Sequence, residues 1–252
     1  MAVWAIADLH LSFGVPDKAM DLFGPQWTDH PEKIKEHWLS LISPDDLVLI
    51  AGDISWAMTP EQAKPDLNWI GQLPGTKLLI RGNHDYWWTS LSKAEKVLPP
   101  SMHLIQNNAC TWKNISVAGA RLWDTPEYAF GEWIDYRDNP KAKILATEPD
   151  PNLPAETLRL FQRELSRLET SLKAMDKHAD TRIVMTHYPP IGGLLLESEV
   201  SKLLEKYHVD ICVFGHLHNL QQNVPLFGKR NEISYYLTAC DYLNFIPLKL
   251  LD

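Results

Sequence analysis

Long apolar runs and paired cysteines are both missing from this sequence of 252 residues. No apolar stretch approaches the roughly 18 residues that a membrane-spanning helix needs, so we expect no membrane insertion. The N-terminus has no basic region before its first apolar residues, which argues against a signal peptide. The three cysteines, Cys110, Cys212 and Cys240, form no C-x-x-C pair. This disfavours a disulfide framework and predicts a reducing, cytoplasmic location.

Basic runs are also missing, and the formal net charge is −8. Proteins that bind nucleic acid non-specifically neutralise phosphates with Lys and Arg side chains, so this balance argues against a generic nucleic-acid partner without excluding one. A small phosphorylated substrate is compatible with it, because bound metal ions reverse the sign of the local field. No repeat or linker divides the chain, so we expect a single domain over residues 1–252.

Short apolar runs alternate with amphipathic segments along the chain. Runs rich in Val, Ile and Leu have the length of buried strands at 3–7, 47–51, 77–80, 115–118, 183–185, 211–214 and 235–237. Segments between them show helical spacing of apolar residues at 31–42, 88–98, 155–175 and 194–207. Strands that alternate with helices predict an α/β fold in which helices cover both faces of the central sheet material.

The segment from Arg121 to Pro154 breaks this alternation. Its aromatic residues stand among many charged ones and are Trp123, Tyr128, Phe130, Trp133 and Tyr136. Long segments without periodicity are often lids or binding loops, which predicts a cap or substrate-loop insertion over residues 121–154. The alternative is a surface loop whose aromatic side chains pack back onto the domain.

Five polar clusters each follow an apolar run, at the point where a predicted strand ends. They are Asp8-Leu9-His10, Gly52-Asp53, Gly82-Asn83-His84-Asp85, Thr186-His187 and Gly215-His216-Leu217-His218. In open α/β sheets, functional groups gather at the carboxyl ends of strands, so we expect these side chains to lie together. Alternation along an extended strand end would place Asp8 and His10 on one side, and would do the same for His216 and His218.

Carboxylate, imidazole and amide donors of this kind suit metal ions. A carboxylate can bridge two cations with its two oxygens, and Asp53 is the natural candidate for that bridge. Two divalent ions outweigh the negative charges of Asp8 and Asp53, so the site would attract a phosphate group and acidify a bound water. Mixed nitrogen and oxygen ligation favours Mn, Fe, Zn or Co over Mg or Ca. We therefore predict two divalent or trivalent transition-metal ions as cofactors.

In this order, the motifs D-x-H, G-D, G-N-H-D, H and G-H-x-H resemble those of the calcineurin-like metallophosphoesterase superfamily. The resemblance runs from residue 8 to residue 218. It implies a four-layer α/β/β/α sandwich of two mixed sheets, with the metal site at the C-terminal ends of the strands. The implied ligands are Asp8, His10, Asp53 and His218 for one metal, and Asp53, Asn83, His187 and His216 for the second. No ligand position of the family is missing.

The same resemblance implies roles in catalysis. His84 matches the general acid of the family, and Asp85 matches the carboxylate that orients it. The implied reaction is cleavage of a phosphoester by a metal-bridging hydroxide that attacks phosphorus in line with the departing oxygen. Proton donation by His84 to that oxygen contributes on the order of 10²–10⁴-fold. These roles predict a metal-dependent phosphohydrolase, either a monoesterase or a diesterase.

Two arginines are candidates for substrate binding. Arg81 directly precedes the G-N-H-D motif, where protein phosphatases of the superfamily carry an arginine, and Arg121 follows the run at 115–118. A guanidinium can clamp a phosphate with two parallel hydrogen bonds, whereas a structural arginine would pair with an acid at the strand end. The nearby triplet Tyr86-Trp87-Trp88 either stacks on a nucleobase or packs a helix start onto the core.

Other functions share these motifs. A phosphodiesterase or nuclease of the superfamily would use the same site, although the modest length and acidic balance argue against a nuclease. A serine/threonine protein phosphatase rests mainly on Arg81, and a non-catalytic protein-binding scaffold would keep only the fold. The intact ligand set and His84 weigh against the scaffold. The leading prediction is a cytoplasmic two-metal phosphohydrolase that acts on a small phosphorylated substrate.

Overall fold

The computed structural model describes residues 1–135, 153–221 and 224–252. The strands are β1 (Val3–Ile6), β2 (Leu47–Ile50), β3 (Thr76–Leu79), β4 (Met102–Leu104), β5 (Ala109–Trp112), β6 (Ile115–Ala120), β7 (Thr181–Thr186), β8 (Ile211–Phe214), β9 (Lys229–Arg230), β10 (Ile233–Leu237) and β11 (Leu248–Leu251). The α-helices are α1 (His30–Leu41), α2 (Pro60–Gln72), α3 (Leu91–Glu95), α4 (Leu153–Lys173) and α5 (Glu199–Lys206). Short 3-10 helices lie at Pro16–Lys18, Met20–Phe23, Pro25–Trp27, Gly131–Trp133 and Gly193–Leu195.

The strands form two mixed sheets. The first has the order β11-β1-β2-β3-β4, in which β1 to β4 are parallel and β11 is antiparallel. The second has the order β5-β6-β7-β8-β10-β9, in which the four middle strands are parallel and both edge strands are antiparallel. In each sheet the carboxyl ends of the parallel strands therefore lie at one edge.

The two sheets pack against each other through an apolar layer. Along β1, Val3 and Ala5 point into this inner core, which also holds residues of both sheets. The alternate residues, Trp4 and Ile6, point to the other face of the first sheet, where they meet α1 and α2. Because both faces of the strand are buried, it reads as a continuous apolar run rather than an alternating one.

Helices cover the outer face of each sheet. Helix α1 buries Ile34 and Trp38, one turn apart, against the first sheet. Helix α4 buries Leu168 and Leu172 against the second sheet in the same way. Helix α5 is capped by Ser198, whose hydroxyl accepts a hydrogen bond from the backbone N–H of Ser201 in a capping box. In the part of the chain that the structure describes, no helix is long and apolar enough to cross a membrane.

The predicted fold class is confirmed, with two mixed sheets flanked by helices in the layer order α/β/β/α. The predicted apolar runs lie on β1, β2, β3, β6, β7, β8 and β10, and the predicted helical segments overlap α1, α3, α4 and α5. The helix expected over 88–98 is confined to the five residues of α3. The patterns do not predict helix α2 or the strands β4, β5, β9 and β11.

The predicted cap or substrate loop over 121–154 is described in its first part, residues 121–135. Phe130 is buried in the core of the second sheet, and the hydroxyl of Tyr128 donates a hydrogen bond to the carbonyl of Pro189 at 2.8 Å. These aromatic side chains therefore pack back onto the domain, as the surface-loop alternative expects. Tyr136 and the rest of 136–152 lie outside the described residues.

Candidate metal centre

The carboxyl ends of the parallel strands bring the predicted metal donors to one edge of the protein. The loops that follow β1, β2, β3, β7 and β8 carry Asp8, His10, Asp53, Asn83, His187, His216 and His218. Backbone hydrogen bonds join the two sheets at this edge. Ala7 N donates to Thr238 O at 2.7 Å, and Cys240 N donates to Ala7 O at 3.0 Å. Donors from both sheets therefore face one common region.

The backbone turns sharply at several of these donors. Asp8, His10, Asp53 and His216 have φ values of 59°, 46°, 51° and 73°. This left-handed conformation costs a non-glycine residue about 1–2 kcal/mol, and such strain clusters at functional sites. Strand β1 ends at Ile6, so the argument from strand alternation is wrong for the D-x-H triplet. Tight turns bring its two side chains to the same side.

Two motif glycines allow other parts of the centre to approach closely. A Cβ atom on Gly82 would lie 2.0 Å from Oδ1 of Asp53 and 2.2 Å from its backbone nitrogen. A Cβ atom on Gly215 would lie 2.3 Å from Oδ2 of Asp8. The glycines of G-N-H-D and G-H-x-H are therefore needed because the two carboxylates occupy the space of a side chain.

The first group of donors comes from the loops after β1 and β8. One ligand atom each from Asp8, His10 and His218 lies within 4.8 Å of the others. Nε2 of His10 is 3.2 Å from Nε2 of His218, which in turn is 3.8 Å from Oδ1 of Asp8. The structure thus brings together three of the four residues predicted for one metal.

The second group of donors surrounds Asn83. Its Oδ1 lies 2.6 Å from Nε2 of His187 and 3.2 Å from Nδ1 of His216. Nδ1 of His187 lies 3.0 Å from the carbonyl of Ala51, and a hydrogen bond donated there leaves Nε2 facing the centre. This arrangement brings together three of the residues predicted for the second metal.

Asp53 lies between the two groups. Its Oδ2 is 3.7 Å from Nε2 of His10 and 3.4 Å from Nε2 of His187, while its Oδ1 accepts a hydrogen bond from the backbone of His84 at 2.8 Å. Asp8 also belongs to both neighbourhoods, because its ligand atom groups with those of Asp53 and His187. The position of Oδ2 is the one that a bridging carboxylate would need.

Burial and the two carboxylates pull the histidine pKa values in opposite directions. Burial alone would lower the pKa of His187, but Asp53 and Asp8 outweigh it and raise that pKa to about 9. Burial lowers the pKa of His216 to about 3, and it also lowers the pKa of His10 well below its usual value. Neutral imidazoles of this kind present a lone pair to the centre.

The donor set fits transition-metal ions. Nδ1 of His10 is buried without a hydrogen-bond partner among the described residues, and its Nε2 faces another imidazole nitrogen. In their neutral forms these two imidazoles could both present a nitrogen lone pair to a cation beside the two carboxylates. Mixed imidazole, carboxylate and amide donors favour Mn, Fe, Zn or Co.

His84 and Asp85 do not form the contact that the family resemblance implies. The oxygens of Asp85 accept hydrogen bonds from N–H groups of Ile54, Ser55, Gly82 and Trp87, at 2.7–3.1 Å. Nδ1 of His84 is buried, and none of the described residues gives it a hydrogen-bond partner. Asp85 therefore organises the backbone of the loop, and direct orientation of His84 by Asp85 is not observed. The catalytic assignment of His84 stays a prediction.

Three side chains around the centre carry no signal in the motifs. Oδ1 of Asp241 lies 2.9 Å from Nδ1 of His218, as expected of an acid that orients a metal-binding histidine. The indole of Trp56 stacks on His10 at 5.0 Å, and the ring of Tyr188 lies 4.0 Å from that of His216. Asp241 follows β10, so a search of every strand end would have found it.

The two candidate substrate-binding arginines line one recess of about 110 Å³. Nε of Arg81 is buried, and the guanidinium has no hydrogen bond or ion pair with any described residue. Arg121 is instead paired with the buried Glu164 at 3.5 Å and lies over the ring of Trp123 at 4.5 Å. Arg81 is therefore available to an anion, whereas Arg121 has the structural pairing that the alternative reading expects.

The triplet Tyr86-Trp87-Trp88, which follows the G-N-H-D motif, packs mainly onto the core. Trp87 and Trp88 are buried in the core of the first sheet, whereas Tyr86 is exposed. The two tryptophans are therefore not positioned to stack on a nucleobase.

Comparison with known sequences shows which protein family the chain resembles. The model of the calcineurin-like phosphoesterase family matches residues 1–220. The Gene 66 protein of Mycobacterium phage D29 is 39% identical over 83 residues, which are 33% of this chain and 40% of that protein. The Gene 66 protein of Mycobacterium phage L5 is 36% identical over 84 residues, covering 32% and 39%. The matches thus span about two fifths of the length of these curated relatives.

A solved structure shares the fold. The phosphopantetheinyl hydrolase PptH from Mycobacterium tuberculosis superposes with a TM-score of 0.55, covering 99% of this chain and 95% of that one at 15% identity. At this identity the likeness concerns the fold alone. With a family model that spans most of its length and all the motif positions filled, the chain belongs to the calcineurin-like phosphoesterase family.

Proposed function

We propose that the chain is a two-metal phosphohydrolase that cleaves the ester bond of a small phosphorylated substrate. One observation carries the proposal, which is the convergence of acids, histidines and one asparagine from five strand ends of two sheets. Gathering several ionisable groups away from water is costly, so a fold that does so needs a compensating ligand. Membership of a phosphoesterase family supports a phosphate ester as the substrate.

The proposed ligands are Asp8, His10, Asp53 and His218 for one metal, and Asp53, Asn83, His187 and His216 for the other. Asp53 is the proposed bridge because its Oδ2 lies between His10 and His187. When bound, the ions supply Lewis-acid polarisation of the phosphoryl oxygens and a more acidic water. Asp241 holds His218 through Nδ1 and so directs its Nε2 at the centre.

Arg81 is proposed to bind the phosphoryl group. Its guanidinium has no anionic partner among the described residues, and it directly precedes Gly82 and Asn83. A guanidinium matches two phosphoryl oxygens in one plane, so it both binds the group and fixes its rotation. Arg121 adds positive charge to the same recess, although Glu164 offsets part of it.

His84 is proposed to donate a proton to the departing oxygen. Its ring lies 5.7 Å from that of His10 and 4.4 Å from that of Trp56, so it stands at the edge of the centre. Its backbone N–H donates to Asp53, which couples its position to the proposed bridge. Proton donation matters most when the leaving group is a strongly basic alkoxide.

The proposal is tested by metal analysis of the purified protein together with assays of a nitrophenyl monoester, a bis-nitrophenyl diester and a panel of alkyl phosphates. We expect about two transition-metal ions per chain and turnover of at least one ester class. The Asp53→Asn variant should lose metal and lower kcat/KM at least about 100-fold, since one substitution would disturb both ions. The panel separates monoesterase from diesterase activity.

The matched control is Asp45→Asn, because Asp45 is an exposed acid in the turn before β2, at the opposite end of that strand. It should keep the metals and the activity. Full metal loading with no turnover of any ester would reject the enzyme and favour a binding scaffold. Activity of Asp53→Asn equal to that of the control would reject the proposed centre.

A further inference from the structure

A cavity of about 380 Å³ opens beside the candidate metal centre. One of its walls is His216, a proposed metal ligand, and another is formed by residues 123–131 of the irregular segment. Its volume falls within the range of small-molecule sites, which is about 300–1,000 Å³. The position next to His216 makes it the natural place for the organic part of a substrate whose phosphoryl group lies at the metals.

The walls of this cavity are mainly aromatic. Tyr188 lies 4.0 Å from His216 and 5.3 Å from Trp123, and Tyr128 lies 5.5 Å from Phe130, between ring centroids. The Tyr128 hydroxyl is already bonded to the carbonyl of Pro189, so the ring is held in place by a bond within the protein. Rigid aromatic walls favour a flat ring over a flexible chain, because stacking needs no further ordering of the protein.

One carboxylate faces this aromatic cavity. Asp124 lines the cavity, is exposed to solvent and has no hydrogen-bond or ion-pair partner among the described residues. Its oxygens accept N–H donors and repel anionic groups. Neither Arg81 nor Arg121 forms an ion pair with it, and Arg121 is paired with Glu164 instead. This carboxylate therefore favours a ligand ring that offers an N–H donor and carries no negative charge.

We propose that this cavity binds an amino-bearing nitrogen heteroaromatic ring, the chemistry of a nucleobase, in a phosphoester whose phosphoryl group lies at the metal centre. The inference rests on the proposed function and narrows its substrate class. The aromatic walls stack on the ring, and Asp124 accepts its exocyclic N–H group. A simple alkyl or acyl ester offers Asp124 no N–H donor, and an ester with a second anion is repelled by it.

The test compares substrates that share the phosphate and the sugar but differ in the ring. Adenosine 5′-monophosphate and guanosine 5′-monophosphate are assayed against ribose 5-phosphate with the metal-loaded protein. We expect kcat/KM for at least one nucleotide to exceed that of ribose 5-phosphate by roughly 10- to 100-fold, which is the size of one stacked base. Equal values for all three substrates would overturn the inference and leave the proposed function intact.

Variants assign the preference to this cavity. Trp123→Leu removes a stacking wall, and Asp124→Asn replaces the acceptor with an amide. Each should lower the ratio of nucleotide to ribose 5-phosphate kcat/KM at least about 5-fold. The matched control is Tyr236→Leu, an exposed aromatic residue of β10 outside the cavity, which should keep the ratio. A ratio that falls equally in the control, or in no variant, would overturn the assignment.

A binding measurement keeps the inference separate from the enzyme assay. Adenosine and guanosine, which carry no phosphate, are tested by ligand-observed NMR against the wild type and the three variants. Binding that is weakened in Trp123→Leu and retained in Tyr236→Leu supports the ring site even if no ester is hydrolysed. Absence of nucleoside binding by the folded wild type would overturn it even if ribose 5-phosphate is hydrolysed.

Discussion

At the scale of single residues, Asp85 shows how one acid can serve the backbone of the loop that carries metal-donor candidates. It is fully buried, and its two oxygens collect N–H donors from the loop after β2, from Gly82 and from the indole of Trp87. This network fixes the loop that carries Asn83 and His84. A carboxylate is needed because it is acceptor-only, and an amide would turn a donor toward other donors.

The Asp85→Asn variant should therefore lose stability. The amide nitrogen meets at least one buried N–H group that then lacks an acceptor, and we expect the free energy of unfolding to fall by about 2–3 kcal/mol.

His84→Ala, in contrast, should keep stability within about 1 kcal/mol while kcat/KM falls on the order of 10²–10⁴-fold for an alkyl ester. Urea unfolding and steady-state kinetics measure the two quantities.

A comparison of two esters with different leaving groups is the control for the His84→Ala variant. With a nitrophenyl ester, whose leaving group needs little protonation, the loss caused by His84→Ala should shrink. Equal losses for both esters would reject proton donation by His84. An Asp85→Asn variant of wild-type stability with the rate loss of His84→Ala would instead restore the orienting role that the motif resemblance implies.

The donors of the centre could be predicted from the sequence because each follows an apolar run, and parallel strands deliver their ends to one edge. The partners of those donors could not. Asp85 bonds to a loop 30 residues away, and Trp56 stacks on His10 across two loops. Such contacts arise only when the chain folds. Asp241 lies between the two cases, since it follows a strand but belongs to no motif.

At the scale of elements, helix α2 anchors the loops that carry the metal donors. Its Asp66 accepts a hydrogen bond from the backbone of Phe13 at 2.7 Å and another from the hydroxyl of Ser55. Phe13 and Ser55 lie in the loops after β1 and β2. The sequence pattern does not predict this helix, which begins at Pro60 and contains Pro65 in its interior. Pro60 fits the first turn, which Thr59 caps, and Pro65 forgoes one backbone hydrogen bond.

The four unpredicted strands have a different cause. Strands β4, β5, β9 and β11 have two to four residues each and lie at sheet edges. Their side chains are partly exposed, so they lack the continuous apolar signal of the central strands. An edge strand is identified by its hydrogen bonds to the neighbouring strand rather than by its composition. The sequence alone does not show which strand it pairs with.

Asp66 should make stability depend on pH. Burial raises its pKa to about 6, against 3.8 for the free side chain, and its partners are uncharged hydroxyl and N–H groups. Between these values the unfolded chain releases the proton while the folded chain retains it. The contribution of Asp66 to stability is therefore present below about pH 4 and is lost as pH rises through about 6, by on the order of 2–3 kcal/mol.

The Asp66→Asn variant isolates this contribution, because it cannot ionise. Urea unfolding of both proteins in a chelator, at pH 4 and pH 7, gives the difference in stability at each pH. We expect the wild type to lose stability relative to the variant as pH rises. A difference that stays constant with pH would mean that the folded pKa of Asp66 is not raised.

At the scale of the whole molecule, the candidate centre joins the open ends of two sheets. Asp8, Asp53 and Asn83 come from the first sheet, and His187 and His216 come from the second. Away from this edge, apolar side chains of both sheets pack together in the inner core. The chain also carries a net charge of −8, so cations held at this edge would reduce repulsion within an acidic protein.

Removal of the metals should therefore lower the melting temperature. A ligand that binds only the folded state at about 1,000 times its Kd adds about 4 kcal/mol of stability, which corresponds to a shift on the order of 10 °C for a chain of this size. Thermal melts with and without a chelator measure the shift, and metal analysis verifies removal. Asp53→Asn should show little chelator response, whereas Asp45→Asn should respond as the wild type does. An unchanged melting temperature after complete removal would mean that the ions do not tie the sheets together.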